Sequence, residues 1–345
     1  MLTKKQIKEI KEHLEKAQNP LFFFDNDPDG LCAFLLLQRY LGRGKGVAIR
    51  SFPDLTIDYF RKVKELDADY VFILDKPVVS KEFLEAIKQV NLPVVWIDHH
   101  EIDRKDIPSF VNYYNPVFNR GKKNEPVTYL CYEITKKKED LWLAVAGCVS
   151  DHFIPDFYSE FLKRYLDLGF KTDKPFGILY NSQIGKISRI FSFALKDRTT
   201  NVIHMLKFLM KVKSPYEVLD ESPKNRIMHE RFKEIDKTYQ KLIKKAKSNL
   251  DDSKILFFQY SGETSISADL SNQLSYLFPE KVIVVMRVLD VTTSISVRGE
   301  KVRKKVLKAI EGLEGATGGG HENAVGAKIK TKDLEEFKGN LKQVV

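Results

Sequence analysis

The sequence predicts an α/β protein with three successive parts: a doubly wound, mostly parallel sheet, a helical basic connector, and a smaller mixed α/β domain. Short apolar runs alternate with helical stretches between about residues 20 and 150, which is the pattern of a parallel sheet. Residues 155–251 read as helical, and strand-like segments return only after them. A chain of 345 residues accommodates more than one domain. We place the domain limits at 1–185, 186–250 and 251–345.

Four apolar runs in the N-terminal part are predicted to be strands. They are LFFF at 21–24, YVFIL at 70–74, PVVWI at 93–97 and LWLAVAGCVS at 141–150. An aspartate follows each run directly. Ligands gather beyond the carboxyl ends of strands in doubly wound sheets, so these acids are expected to share one site. They are Asp25, Asp75, Asp98 and Asp151.

The middle segment carries most of the net charge of the chain. Residues 186–250 contain 16 basic and 7 acidic residues, which gives +9 of the total of +10. The stretch KNRIMHERFKEIDKTYQKLIKKAKSN places apolar residues along one side of a helix and lysine and arginine along the other. A basic connector of this kind favours a polyanionic partner, although a solvated helix face would look the same.

The composition excludes several classes of protein. A hydrophobic fraction of 43% is that of a packed globular protein, and no apolar run is long enough to span a bilayer. The N-terminal residues MLTKKQIKEIKEHLEKA form an amphipathic helix and lack the apolar core of a secretory signal. The three cysteines lack metal-site spacing, which favours buried free thiols in a reducing compartment. We therefore expect a cytoplasmic protein with no membrane association.

The segment FFFDNDPDG admits three interpretations. A calcium loop would require a glutamate at its twelfth position, which is Leu36. A phosphatase of the haloacid dehalogenase type would use Asp25 as nucleophile, but its motif has threonine or valine where Asp29 stands. In the third interpretation, Asp25, Asp27 and Asp29 hold hard divalent cations on a tight turn that Pro28 and Gly30 sharpen.

The segment WIDHHE favours the third interpretation. It adds Asp98, His99 and His100 to the acids at the ends of other apolar runs. Burial of so many carboxylates without counter-ions would be very unfavourable, whereas divalent cations neutralise them. Imidazole among the carboxylates favours Mn²⁺, and Mg²⁺ is also compatible.

The order of the motifs DNDPDG, LDKP, IDHHE and GCVSDHF resembles motifs I to IV of the DHH phosphoesterase superfamily. The later segments SVRG and GATGGGHENAVGA resemble its DHHA1 domain, and the archaeal RecJ-like single-strand nucleases are the most similar branch. The resemblance implies two divalent cations. Asp25 and Asp27 would bind the first, Asp75 would bridge both, and Asp29, His99 and Asp151 would bind the second. His100 would contact the scissile phosphate, and Asp98 would orient the histidines.

Two positions depart from the family pattern. Many members have a histidine four residues before Asp27, where this chain has Phe23. Lys76 directly after the bridging aspartate is also unusual, and it would tune metal affinity or reach a phosphate.

The glycine-rich segment GATGGGHENAVG predicts an anion site in the C-terminal domain. We expect a helix to begin at His321 or Glu322, so that backbone N–H groups of the loop and helix cradle a phosphate. Arg298 would bind the same phosphate. A simple glycine turn is the alternative, and no Walker lysine follows. The expected substrate-binding residues are Arg298, Gly318, Gly319, Gly320 and His321.

Three functions are compatible with these features. The first is an exonuclease that degrades single-stranded RNA or DNA to mononucleotides, with 3′-to-5′ polarity favoured. The second is a phosphodiesterase for dinucleotides or other very short oligonucleotides. The third is a non-catalytic scaffold in a replication or repair complex, against which the intact metal ligands argue. The resemblance admits a helicase or replication protein as partner, and the sequence leaves the oligomeric state open.

Overall fold

The computed structural model describes residues 1–51 and 54–345 and confirms the α/β class. The described residues form two compact units, Met1–Phe232 and Lys233–Val345. The first unit contains a parallel sheet with helices, and the second contains a mixed sheet with helices.

The sheet of the first unit has five parallel strands in the order β2-β1-β4-β6-β7. Consecutive residues of β1 point to opposite faces, so Phe22 and Phe24 join one apolar core while Leu21 and Phe23 join another. Helices cover both faces, which confirms the doubly wound prediction. A separate pair of two-residue strands, β3 and β5, lies beside the sheet. The strands are β1 Pro20–Asp25, β2 Lys45–Ile49, β3 Asp54–Leu55, β4 Tyr70–Leu74, β5 Val78–Val79, β6 Val94–Ile97 and β7 Val111–Tyr114.

The first two helices of the chain have recognisable caps. Thr3 and Gln6 form a reciprocal capping box at the first helix, and Gly42 ends the second in a left-handed conformation. All the described regular elements between residues 155 and 251 are helical, as predicted. The helices are α1 Lys4–Lys16, α2 Pro28–Leu41, α3 Phe60–Glu65, α4 Lys81–Gln89, α5 Val127–Thr135, α6 Leu141–Ser150, α7 Tyr158–Arg164, α8 Pro175–Asn181, α9 Gln183–Leu195, α10 Thr199–Leu209 and α11 Pro215–Leu219. Helix α12, Arg226–Ser248, begins in the first unit and ends in the second.

One predicted strand is wrong. The apolar run LWLAVAGCVS is helix α6, and Asp151 is its C-cap residue. Nine of its ten residues are buried, from Leu141 through Val149. A helix buried on all sides has no polar face, so its sequence lacks the 3.6-residue alternation that would distinguish it from a buried strand.

The second unit is the smaller mixed α/β domain that the sequence predicts. Its sheet has the order β11-β12-β10-β9-β8, in which β8 and β9 are parallel and the other pairs are antiparallel. The elements are β8 Ile255–Tyr260, α13 Ser267–Leu277, β9 Val282–Val288, β10 Thr292–Arg298, α14 Val302–Ile310, β11 Thr317–His321, β12 Ala324–Lys330 and α15 Leu334–Val344.

Two further expectations concern single features. The three cysteines are free and buried, as predicted. Among the helices of the described residues, none combines the length and the apolar character that a bilayer crossing requires.

Candidate metal centre and glycine-rich hairpin

The three acids of the first motif surround one tight turn between β1 and α2. Asp25 ends the strand, and Asp27 is the N-cap of the helix, where its Oδ1 accepts a hydrogen bond of 2.9 Å from the Gly30 N–H. A Cβ atom on Gly30 would lie only 2.6 Å from the Asp25 carbonyl oxygen, so this approach requires glycine. The turn therefore holds Asp25, Asp27 and Asp29 close together.

Asp29 is held by the start of a distant helix. Its two carboxylate oxygens accept hydrogen bonds of 2.8 Å from the backbone N–H groups of Val127 and Thr128, and its side chain is buried. The Thr128 hydroxyl donates to the Asp29 carbonyl oxygen at 2.8 Å. These groups belong to the first turn of α5, where the helix dipole also favours a negative charge. The sequence predictions do not include this contact, although Pro126 before an apolar run is a helix-start signal.

Asp75 lies directly after β4 in a left-handed backbone conformation, with φ of 58°. Its backbone N–H donates to the Ile97 carbonyl at 3.0 Å, which ties it to the end of β6. Its buried Oδ1 lies 3.4 Å from His99 Nε2 and 3.9 Å from His100 Nδ1. Among the described residues this oxygen accepts no hydrogen bond. A strained backbone and an unsatisfied buried oxygen together mark a functional position.

The Asp98-His99-His100 triplet follows β6. Asp98 is completely buried, and its Oδ1 lies 2.8 Å from His100 Nδ1 while its Oδ2 accepts a bond of 3.2 Å from the Tyr113 hydroxyl. Asn115 donates to the His100 carbonyl at 2.9 Å. Tyr113 and Asn115, at the end of β7, are absent from the residues predicted from sequence. Their polar side chains beyond the next strand of the sheet are the signal that could have found them.

Two groups of possible ligand atoms result. Ligand atoms of Asp75, His99 and His100 lie within 4.8 Å of one another, as do those of Asp29, His99 and Asp151. Asp151 reaches the second group from the C-terminus of α6, with its Oδ2 at 3.9 Å from His99 Nε2. Asp25 and Asp27 lie on the neighbouring turn and belong to neither group.

The glycine-rich segment of the second unit is a β-hairpin, so the predicted helix at His321 is wrong. Gly318, Gly319 and Gly320 belong to β11 and pair with Ala327, Gly326 and Val325 of β12. The turn at Glu322 and Asn323 is bonded to the segment before α14, where the Gly299 N–H donates to the Asn323 carbonyl and the Lys301 N–H donates to Asn323 Oδ1. Because glycine has no side chain, the repeated glycines leave the backbone of this strand largely exposed. They do not precede a helix.

Backbone geometry explains one glycine of this hairpin. Gly320 has φ of +135°, and a Cβ atom there would lie 2.4 Å from the Ala324 carbonyl oxygen. Arg298 ends the adjacent strand β10, opposite Ala324, and its Nε donates to Asn272 Oδ1 at 2.6 Å. The hairpin and Arg298 are therefore neighbours, but the anion would meet exposed hairpin backbone and not a helix N-terminus.

Two family comparisons match the two units of the fold. Residues 21–149 match the N-terminal domain of the DHH family, and residues 238–345 match the DHHA1 domain. The chain contains a DHH domain and a DHHA1 domain. DHH family members are metal-dependent phosphoesterases, and the residues of the two ligand groups lie within the matched residues 21–149 except Asp151, which lies just beyond them.

Several solved structures share this fold. RecJ from Thermus thermophilus with Mn²⁺ has a TM-score of 0.71 at 15% identity, covering 98% of this chain and 54% of that chain. An exonuclease RecJ bound to manganese has a TM-score of 0.67 at 15% identity, with coverage of 99% and 94%. A pGpG-specific phosphodiesterase from Vibrio cholerae has a TM-score of 0.51 at 12% identity, with coverage of 95% and 99%.

These similarities concern the fold. The DHH–DHHA1 chain spans about half the length of the Thermus RecJ. We found no significant match among curated proteins.

The DHH domain concentrates negative charge in a buried place. Burial, followed by the neighbouring Asp25 and Asp29, raises the pKa of Asp27 to about 7, and burial together with Asp151 raises the pKa of Asp29 to about 6. Burial also raises the pKa of Asp75 well above its ordinary value, with further contributions from Asp29 and Asp27. Groups that resist ionisation because of burial and of each other's charge are well suited to a divalent cation, which would neutralise several at once.

The same negative charges also raise the pKa of the two histidines, which favours their positively charged form. Burial opposes the positive charge on His99, but the carboxylates, Asp151 foremost, outweigh it and raise the pKa. Burial likewise opposes the charge on His100, and the hydrogen bond to Asp98 outweighs it and raises the pKa. The carboxylates therefore favour positive charge throughout this centre.

The two departures from the family pattern have clear structural positions. Phe23 is completely buried and packs edge-on against Phe83 at 5.5 Å between ring centroids, so a metal ligand is absent from this position. The Lys76 ammonium contacts Asp25 Oδ1 at 2.7 Å and the Ser51 carbonyl at 2.8 Å. Lys76 thus bonds to one of the expected ligands of the first cation.

Proposed function

We propose that this DHH–DHHA1 protein is a phosphodiesterase with two divalent cations that degrades single-stranded RNA or DNA from an end. One observation carries the proposal: the buried Asp75 oxygen accepts no hydrogen bond from the described residues and faces His99 and His100. An anionic oxygen in such a place requires a cation. The remaining acids and histidines of the centre provide the oxygen and imidazole ligands that Mn²⁺ or Mg²⁺ accepts.

The proposed ligands divide between two subsites. The first subsite consists of Asp25 and Asp27, and the second consists of Asp29, His99 and Asp151, while Asp75 is shared. Imidazole in the second subsite favours Mn²⁺ over Mg²⁺. When bound, the cations supply an activated water and stabilise the charge that develops on the phosphate.

The protein's own groups position and protonate the substrate. Asp98 accepts from His100 Nδ1 and so fixes the ring, and His100 Nε2 would meet the phosphate. The Asp98 carboxylate raises the pKa of His100 against the effect of burial, which favours the protonated ring that donation from Nε2 toward the leaving oxygen would require. Tyr113 and Asn115 hold Asp98 and His100 in place through their own hydrogen bonds.

The hairpin of the DHHA1 domain is the proposed substrate-binding element. Gly319 has open space around the position of a Cβ atom, so a phosphate can approach the strand backbone there. Arg298 and His321 would add charged or polar contacts to the same phosphate. We assign Arg298, Gly318, Gly319, Gly320 and His321 to substrate binding on this basis.

The basic face of α12 supports a long polyanionic substrate. Lys241, Lys244, Lys245 and Lys247 are exposed, while Ile243 and Ala246 between them are buried. Exposed lysines along one helix face can bind successive phosphates, and such binding weakens as salt increases. We propose that cleavage proceeds with 3′-to-5′ polarity and releases mononucleotides. A helicase or replication protein is a candidate partner.

A phosphodiesterase for dinucleotides is the second candidate. The fold similarity to the pGpG-specific phosphodiesterase supports it, because that protein shares the domain architecture along almost its whole length. A substrate of this size requires few phosphate contacts and would not use the lysines of α12.

Glutamine substitution of the four exposed lysines distinguishes these candidates. For an exonuclease, kcat/KM on a long single strand should fall roughly tenfold or more at low salt, with little change on a dinucleotide. The matched control replaces Lys4, Lys5, Lys8 and Lys16, which are exposed on α1, and should leave both substrates unaffected. Equal losses on both substrates in the α12 variant would refute the assignment of these lysines to long strands.

A further inference from the structure

Lys76 is a buried cation inside the metal centre. Its side chain is 1% exposed, and its Nζ lies 2.7 Å from Asp25 Oδ1 and 2.8 Å from the Ser51 carbonyl. Its backbone carbonyl accepts a hydrogen bond of 2.9 Å from Trp96 Nε1. A buried ammonium persists only where oxygens neutralise and hydrogen-bond it, and Asp25 supplies the negative charge.

The two proposed subsites differ in the groups that already donate hydrogen bonds to their carboxylates. Asp25 is bonded to the ammonium of Lys76, whereas Asp29 is bonded to two neutral backbone N–H groups. A divalent cation at Asp25 would share this carboxylate with a fixed positive charge, and like charges at such range repel strongly in a partly buried place. At Asp29 the nearby cationic group is His99, which can lose its proton and become a ligand of the cation itself.

The distances between ligand atoms also separate the second subsite from the first. The atoms that lie within 4.8 Å of one another come from Asp29, Asp75, His99, His100 and Asp151. Asp25 and Asp27 complete neither group. The ligands of the second subsite are therefore assembled, while the two acids of the first subsite stand outside both groups.

We propose that Lys76 is an internal counter-ion that weakens the first cation subsite and makes loading sequential. The subsite of Asp29, His99 and Asp151 fills first. The subsite of Asp25 and Asp27 fills only at higher cation concentration, because the cation must compete with the Lys76 ammonium for Asp25. This inference rests on the proposed two-cation function, and it gives Lys76 a positioning role that it exerts through Asp25.

The test is Mn²⁺ binding to the full chain, measured by electron paramagnetic resonance of the free ion after removal of metals with EDTA and dialysis. The native protein should bind Mn²⁺ in two classes of unequal affinity. Lys76→Met should tighten the weaker class by about tenfold or more, because the competing charge is gone, and should leave the stronger class unchanged. Lys76→Gln, which can still donate to Asp25 and the Ser51 carbonyl, should behave like Lys76→Met.

Two variants separate this role from a purely structural one. Lys76→Arg keeps the charge and should keep the weaker class weak. In an Asp25→Asn background, Lys76→Met should give no tightening, because the proposed effect acts through Asp25. Trp96 fluorescence reports whether each variant keeps its local structure, since this side chain is bonded to the Lys76 carbonyl.

The outcomes separate the inference from the proposed function. Two equal classes in the native protein, or an unchanged weaker class in both neutral variants, would overturn the role of Lys76 and leave the two-cation function standing. No Mn²⁺ binding by the native protein would overturn both. Tightening by both neutral variants, retained weakness in Lys76→Arg and no effect in the Asp25→Asn background would establish the inference.

Discussion

Replacement of Asp27 by asparagine should stabilise the metal-free protein and remove the part of its stabilisation by Mn²⁺ that comes from the first subsite. Asparagine is as good an N-cap as aspartate, so the bond to the Gly30 N–H remains available. The substitution removes a carboxylate whose pKa is raised to about 7 by burial and by the charges of Asp25 and Asp29. The native residue is therefore retained for its charge at the expense of stability.

The magnitude follows from the shift in pKa. The ordinary value is 3.8 and the folded value is about 7, and each unit corresponds to about 1.4 kcal/mol, so the full effect is about 4 kcal/mol. Asp27 keeps some solvent contact and shares its proton with neighbouring acids, so we expect a gain of about 2 kcal/mol in the free energy of unfolding.

The direction of the pKa shift determines how the stability of the folded protein depends on pH. Between the two pKa values the folded protein binds more protons than the unfolded chain, so stability falls as pH rises from about 4 to about 7. Above that range the penalty is constant. The advantage of Asp27→Asn should therefore be absent near pH 4 and complete by about pH 8.

Urea unfolding in EDTA, followed by tryptophan fluorescence, measures this effect. Trp96 and Trp142 both lie in the unit Met1–Phe232, so the signal reports the DHH unit. Asp103→Asn is the matched control, because Asp103 also caps a short helix but is exposed, and it should change stability by only a few tenths of a kcal/mol. A loss of stability in Asp27→Asn at pH 8, or an equal gain at pH 4, would refute the reasoning.

Three further substitutions test other parts of the centre. Asp98→Asn should lower kcat by about a hundredfold or more with Mn²⁺ binding retained, because His100 loses the anion that orients its ring and stabilises its protonated form; an unchanged kcat would contradict the role of Asp98. Asp151→Ala should lower the number of bound Mn²⁺ ions without loss of stability in EDTA, since this side chain is 42% exposed; an unchanged binding isotherm would exclude it as a ligand. Gly320→Ala should raise KM by about tenfold or more with kcat nearly unchanged, because a Cβ atom would displace the hairpin at the Ala324 carbonyl. A normal KM would remove the hairpin from substrate binding.

The strands that carry the centre could be predicted because each has a local signal. The runs ending at Phe24, Leu74 and Ile97 are short, apolar and rich in β-branched or aromatic residues, and the first two are followed by helices with N-cap residues Asp27 and Ser80. In a parallel sheet the ends of such strands meet at one edge, so the grouping of the acids followed from the topology.

The features that were predicted wrongly or not at all depend on contacts between residues that are distant in the sequence. The segment 141–150 is buried by elements distant in sequence, so its own pattern does not distinguish helix from strand. The strand β11 exists because the glycines pair with β12, and a run of glycines has no strand propensity of its own. The bonds to Asp29 come from a helix about a hundred residues later, and the Lys76–Asp25 pair depends on the alignment of β1 with β4.

The most direct test of the proposed function is hydrolysis of single-stranded RNA and DNA, labelled separately at the 5′ and 3′ ends, in the presence of Mn²⁺ or Mg²⁺. We expect the native chain to release labelled mononucleotide from the 3′ end at the earliest times, with no activity in EDTA and a large loss in Asp98→Ala and Asp151→Ala. Absence of metal-dependent cleavage by the native chain, or full activity in both variants, would contradict a phosphodiesterase built on this centre.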